Sequence, residues 1–257
     1  MRLPRPLSLE EIKQMEIACR IVAETLTLVG KYVAPGIETI ELDKIAEDFI
    51  LSKNAKPAFK NYNGFPSTLC ISIDEEVVHG IPSERKLVEG QIVSVDCGVE
   101  VSGIFGDSAV TFAVGDIEED KKKLLRVTEE SLYKGISKAV DKGNIYDIAR
   151  SIQEHCESNG YSLTRELTGH GIGRRLHEAP SIPNFVPPLI RRKELPNTKL
   201  INNIGIAIEP MVHQGAKECY TASDRWTVIT RDKKPAAHFE HTVLINDNLP
   251  IILTERN

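Results

Sequence analysis

No run of apolar residues in this 257-residue chain approaches the ~20 that a membrane-spanning helix needs, so none is expected. The first residues, MRLPRPLSLEE, carry no apolar core of the signal-peptide kind, which argues against export. Basic residues are not in excess either. Against 37 Asp and Glu stand 32 Lys and Arg, a formal net charge of −5, which argues against nucleic acid as the main partner. The short basic runs 121–123 and 191–193 fit solvated faces. Cysteine is sparse and patternless: Cys19, Cys70, Cys97, Cys156 and Cys219 are odd in number and form no CxxC. That argues against a disulfide framework or a cysteine zinc site and fits reduced thiols in a cytoplasm. What remains, 41% hydrophobic and 27% charged residues, is the make-up of an ordinary globular protein. No linker-like composition interrupts it, so one domain over 1–257 is expected, as a cytoplasmic monomer.

The stretch 92–114, IVSVDCGVEVSGIFGDSAVTFAV, predicts a hairpin whose arms are rich in β-branched and aromatic residues, with Ser102-Gly103 as its turn. Closing that turn pairs Val101 with Ile104, Gly98 with Asp107 and Asp96 with Ala109. Asp96 and Gly98 share a face because strand side chains alternate, so Asp96 and Asp107 become diagonal neighbours on that face. One aspartate ending a strand and another opening a turn is the ordinary explanation. Two on one face of an apolar hairpin, however, would repel unless something positive lay between them.

Along the rest of the chain, Ser8 and Glu11 form a capping-box signature before Ile12, Met15, Cys19, Val22, Leu26 and Val29, a helix that should stop by Pro35-Gly36. Leu42, Ile45, Ala46, Phe49 and Ile50 stripe a second helix. Loop and short strands follow, with Asn63-Gly64 as a tight turn and His79-Gly80-Ile81-Pro82 as a corner. After the hairpin, Asp116 and Glu119 are expected to cap a third helix carrying Leu125, Leu132, Ile136 and Ala139. Gly143 introduces a fourth, with Ile145, Ile148, Ala149 and Ile152. A loop rich in Gly and His comes next, then a strand ending at Glu209, then two β-prone segments over 225–230 and 238–245, the second carrying Glu240. The order recurs in 8–114 and 117–245, predicting two α+β halves related by a pseudo-twofold, with acids meeting between them.

Candidate ligands are therefore Asp96, Asp107, Glu209 and Glu240, with His79, His170, His177 and His241. The segment Thr168-Gly169-His170-Gly171-Ile172-Gly173-Arg174-Arg175-Leu176-His177-Glu178 is too glycine-rich for a helix interior and suits a loop presenting two imidazoles. Four carboxylates with an imidazole favour harder divalent ions, Mn, Fe(II) or Co, with Zn also compatible. They exceed what one ion needs, so two ions sharing bridging acids at roughly 3.5–4 Å are expected, with hydrolysis by an activated water as the chemistry.

HGIP at 79–82, the Asp96/Asp107 pair, GHGIGRRLHEAP, IEPMV and FEHTV, in that order along nearly the whole chain, resemble the type I methionine aminopeptidases. The resemblance implies the pita-bread fold, an α+β architecture with helices outside a central antiparallel sheet. It implies Asp96, Asp107, His170, Glu209 and Glu240 as metal ligands, Asp107 and Glu240 bridging, and Glu209 also moving the proton of the nucleophilic water. His79 would contact the substrate amine, and His177 the scissile carbonyl. Phe59, Tyr62, Phe65, Cys70, His79, Leu176 and Trp226 would line the methionine pocket. The substrate implied is the N-terminal segment of a nascent polypeptide with a small second residue, reached at or away from the ribosome.

The sequence departs from the pattern in a long 181–203 segment, in Asn202-Asn203 where Pro-Gly is commoner, in Leu176 where an aromatic is frequent, and in Asp224-Arg225 before Trp226. None touches a ligand. The rival readings are an X-Pro peptidase of the same fold and a non-catalytic peptide binder.

Overall fold

Ser8 opens the first helix with a complete capping box. Its Oγ accepts from Glu11 N at 3.3 Å while its own N–H donates to Glu11 Oε2 at 2.8 Å. The computed structural model containing this helix describes residues 5–247 and 249–256. The first four residues, part of the segment read as lacking a signal-type core, lie outside the described residues, as do Asn248 and Asn257.

Helix α1 (Leu9–Gly30) buries Met15, Cys19, Val22, Leu26 and Val29 as the spacing predicts. It ends well before Pro35. At its last residue a side chain on Gly30 would meet the Phe112 ring at 2.6 Å, so helix and hairpin lie in close contact there. Helix α2 (Thr39–Ser52) buries Leu42, Ala46 and Ile50. These residues pack with Ile71, Val93 and Val95 into one apolar core. Each fully buried Leu or Ile there contributes about 1.5–3 kcal/mol.

Helices α3 (Glu119–Ile136) and α4 (Ile145–Ser158) repeat the arrangement over a second core that includes Leu132, Ile148, Ile152, Ile206, Ile208 and Val243. Two details differ from expectation. Glu118 precedes α3 without a side-chain cap, so neither Asp116 nor Glu119 caps it. The inner stripe runs through Leu124 rather than Leu125, and Ala139 is buried beyond the helix end. Gly135 lets the two helices close, since a Cβ there would meet Ile152 Cδ1 at 2.8 Å.

The hairpin has the predicted register at every position, Val101 to Ile104, Gly98 to Asp107 and Asp96 to Ala109. Ser102 and Gly103 both have positive φ, 52° and 79°, the pattern of a turn whose twist matches the strands. The sheet is divided rather than continuous. The first hairpin arm, Ile92–Val101, pairs with the second, Ile104–Ala113, and also with Leu69–Ile73 and Lys56–Pro57. A separate antiparallel sheet runs Ile251–Ile252, His241–Leu244, Gly205–Ile208, Gly169–Ile172 and Glu178–Ile182.

One expectation fails here. Gly169–Ile172 is a buried strand inside that sheet, not a loop. Its glycines answer to strand crowding: a Cβ on Gly169 would collide with the Ala207 carbonyl, and one on Gly171 with that of Ala179. The two β-prone segments, over 225–230 and 238–245, both hold strands, in different sheets. Val228–Thr230 joins Cys219–Thr221 and Glu76–Val78, while His241–Leu244 joins Gly205–Ile208.

A polar seam ties the hairpin to the second half. Glu240 N–H donates to the Ala109 carbonyl at 3.0 Å, and Ser108 Oγ to the Glu240 carbonyl at 2.5 Å. Thr242 Oγ1 accepts from Asp107 N at 3.0 Å and donates to Asp107 O at 2.7 Å. The five cysteines are free thiols, and no helix among the described residues is long and apolar enough to cross a membrane.

Candidate active site

The seam brings acids from distant parts of the chain together. Asp107, His170 and Glu240 are all buried, and each offers a ligand atom within 4.8 Å of the others. Asp96 lies across the hairpin from this trio. Glu209, just past the end of Gly205–Ile208, puts Oε1 at 3.6 Å from His170 Nε2. His170 Nε2 is 4.0 Å from Asp107 Oδ2. On the far side of the ring, Nδ1 is 2.9 Å from the Gly171 carbonyl, which can only accept. The proton therefore sits on Nδ1, and Nε2 is left with a lone pair facing the acids.

The electrostatics of this cluster call for a cation. Burial pushes Asp96 up to about 7 and Glu209 up to about 8. Asp107 and Glu240 are pushed well above the usual carboxylate range, by burial first and then by the neighbouring acids. The imidazoles cannot supply the missing charge. Burial holds His79 at about 4 and His170 at about 3, and lowers His177 and His238 as well. Asp96 Oδ1, Asp107 Oδ1 and Glu240 Oε1 are buried without a hydrogen-bond partner. An oxygen-rich set with orphaned atoms and a lone-pair nitrogen fits a divalent metal.

Above the acids lies a cavity of about 210 Å³. Phe59, Tyr62, Asn63, Phe65, Cys70 and Trp226 form one wall, and His79, His177 and the acids the other. Phe65 meets Trp226 edge-on, with ring centroids 5.2 Å apart. Behind this wall, Gly98 leaves room for Phe59, whose Cε1 a Cβ would meet at 2.6 Å. Tyr62 hydroxyl and His177 Nδ1 are 2.9 Å apart at the rim. His79 is held at φ 61°, a left-handed conformation uncommon for a residue with a Cβ. The corner is pinned by Gly80 N–H to Ser72 Oγ at 3.1 Å and by Ile71 N–H to the Gly80 carbonyl at 2.8 Å.

Two expected residues sit elsewhere. Leu176 is fully buried behind the wall, packed in a cluster with Phe59, Phe65, Cys70 and Ile172, and does not line the cavity. His241 faces away from the acids, with Nδ1 2.9 Å from Thr254 Oγ1 and Nε2 3.4 Å from the Tyr133 hydroxyl. Strand alternation explains it: the neighbouring Glu240 takes the inner side.

Two others were missed. Asn63 lines the cavity, and only its place in the Asn-Gly turn hinted at a rim position. His238, two residues before Glu240, lies 3.6 Å from Glu209 Oε2, and no local signal marked it. The departures from the pattern are absorbed locally. Asn203 and Arg225 adopt φ of 60° and 67°, the left-handed conformation that glycine would take without strain. In the long 181–203 segment, Asn184 Nδ2 reaches back to the Glu209 carbonyl at 2.9 Å.

The sequence model of Metallopeptidase family M24 matches residues 13–247. The chain is 49% identical to the methionine aminopeptidase of Clostridium acetobutylicum over 245 residues, covering 95% of this chain and 96% of that protein. It is 47% identical to methionine aminopeptidase 1 of Bacillus subtilis over 244 residues, covering 95% and 96%. The structure of methionine aminopeptidase from Thermotoga maritima superposes with a TM-score of 0.94 at 40% identity, covering 99% of this chain and 100% of that one. Prolidase from Pyrococcus furiosus shares the fold, with a TM-score of 0.79 at 22% identity, covering 98% of this chain and 66% of that one. The chain has the pita-bread fold and belongs to metallopeptidase family M24, among its methionine aminopeptidases.

Proposed function

We propose that this protein hydrolyses the peptide bond after an N-terminal methionine, using two divalent ions and one catalytic unit built from both halves. The observation that carries the reading is the largely apolar cavity lined at one side by Asp96, Asp107, Glu209, Glu240 and His170. Asp107 and Glu240, at the centre of the cluster, would be shared between the ions. Asp96 would serve one, and His170 with Glu209 the other. When bound, such ions supply positive charge and lower the pKa of a water towards ~7.

The chain's own groups do the rest. Phe59, Tyr62, Phe65, Cys70 and Trp226 receive the side chain, and aromatic edges attract a thioether modestly, by about 0.3–1.5 kcal/mol. Apolar fit discriminates by only ~1–3 kcal/mol per methylene, so leucine is excluded incompletely. With the Tyr62 hydroxyl as donor in its 2.9 Å contact with His177 Nδ1, the ring proton would sit on Nε2, free to donate to the scissile carbonyl as charge develops there. His79, neutral at pH 7, faces the substrate amine as an acceptor. Glu209, ionised once bound cations offset its burial, would take a proton from water and pass it to the leaving amine.

The natural substrate is the N-terminus of a nascent polypeptide with a small second residue, met in the cytoplasm by a monomer, at or near the ribosome. The test is peptide cleavage after chelation, with Mn, Fe(II), Co and Zn restored separately. Met-Ala-Ser should be cleaved only with metal and in preference to X-Pro dipeptides. Preferential X-Pro turnover would overturn the methionine reading, and binding without cleavage under every metal would favour a peptide binder.

A further inference from the structure

We propose that His238 is a positioning residue for Glu209, its Nε2–H holding the outer carboxylate oxygen so that the inner oxygen stays turned to the ion site. This rests on the metal-dependent reading above and adds a residue outside the ligand set. His238 is 1% exposed, and its Nε2 is a buried nitrogen without a hydrogen-bond partner, aimed into the site. It lies 3.6 Å from Glu209 Oε2, while His170 Nε2 lies 3.6 Å from Glu209 Oε1. Each carboxylate oxygen thus faces its own imidazole. The two rings differ in what they offer. His170 spends its proton on the Gly171 carbonyl and presents a lone pair. His238 Nε2 faces an oxygen that, when ionised, can only accept, which selects the Nε2–H tautomer.

The present separation is slightly long for a hydrogen bond, as catalytic contacts commonly are before substrate and metal tighten them. A small turn of the Glu209 carboxylate closes it. The His238 backbone has little freedom to drift. Its N–H donates to Thr111 Oγ1 at 2.9 Å, and Thr111 Oγ1 donates to its carbonyl at 2.8 Å. Ser94 Oγ, 2.8 Å away, donates to the same hydroxyl, so both hairpin arms hold this point. Ala236–His238 also pairs with Met211–His213, placing His238 opposite Met211, two residues beyond Glu209. One strand pair therefore fixes both partners.

The test compares wild type with His238→Gln, whose amide N–H can reach the Nε2 position, and His238→Met, which fills the space without a donor. Three readouts are taken: Co²⁺ titration of metal-free protein by visible absorption, kcat and KM on Met-Ala-Ser, and the thermal midpoint of metal-free protein. His238→Met should lose about 10–100-fold in kcat and in Co²⁺ affinity with KM changed less than about twofold, and His238→Gln should stay close to wild type. Wild-type behaviour of His238→Met, or equal losses in both variants, would overturn the assignment. Should His238→Met fail to fold, His238→Gln decides alone: near-normal kcat and Co²⁺ binding support the donor, and their loss at an unchanged midpoint refutes it. A wild-type protein that neither binds Co²⁺ nor cleaves the peptide would instead sink the underlying reading.

Discussion

Asp107 shows how much one side chain is asked to hold. Its backbone N–H and carbonyl are both taken by Thr242 Oγ1, its Oδ1 has no partner, and its carboxyl lies between Asp96 and the acids of the second half. Asp107→Asn keeps the volume and the backbone bonds but removes the shared charge. Metal analysis of the purified variant should show loss of at least one ion, with most peptidase activity gone. Full metal content with normal turnover would contradict a bridging role. At this scale the acids were legible because period-2 alternation and a Ser-Gly turn fix which faces meet. His238 was not, because its place depends on a strand pairing and a Thr111 clamp that lie far away in sequence. Leu176 failed for the converse reason: a motif position near the site does not fix whether a side chain lines a wall or backs it.

Among the elements, the strand Ile251–Ile252 and the residues after it were not read as part of the site, yet they brace it. Thr254 Oγ1 accepts from Thr242 N at 3.0 Å and bonds the His241 ring, and Arg256 Nη1 donates to Ser108 Oγ at 2.9 Å. These bonds back the seam residues on either side of Asp107 and Glu240. Thr254→Val should strand the buried Thr242 N–H and cost about 1–3 kcal/mol, read as a lower urea midpoint. An unchanged midpoint would show that the tail merely rests on the sheet. Helix reading succeeded for α1, where capping box and stripe agree. It slipped by one residue in α3, where Leu124 and Leu125 are adjacent and no side chain caps the start. The glycine-rich strand was mistaken for a loop because glycine is needed there for neighbouring carbonyls to approach, a demand only the assembled sheet reveals.

Taken whole, the molecule sets two packed halves against each other with like charges at the join. Without metal, Asp96 is held at about 7 and Glu209 at about 8, whereas both titrate near ~4 in an unfolded chain. Both folded values are raised, so the folded state binds the protons more tightly. The stability they contribute is complete below about pH 4 and is lost as pH rises through 7 and 8. Chelated protein should therefore show a thermal midpoint that falls from about pH 7 to 9, above the range in which the buried neutral imidazoles oppose the trend. Saturating divalent metal should abolish the fall and add about 2.7 kcal/mol at 100 times its Kd. A flat profile in the chelated protein would mean that the acids are not crowded as described. The repeated order of long helix, shorter helix and strand with a closing acid made the two halves visible in sequence. The split sheet and its seam did not show, since both arise from side-chain bonds between the halves.

The vacancy at Gly98 gives the pocket an adjustable depth. Phe59 occupies the space that any larger residue at 98 would claim, so the floor under a bound side chain is set by an atom that never touches it. Gly98→Ala would push the ring off the sheet and shorten the chamber. Competition between Met-Ala-Ser and norvaline-Ala-Ser should then shift towards the shorter side chain, and an unshifted ratio would show that the ring yields elsewhere. Selectivity in this scaffold can thus drift through substitutions behind the wall, leaving every contact residue and every acid unchanged.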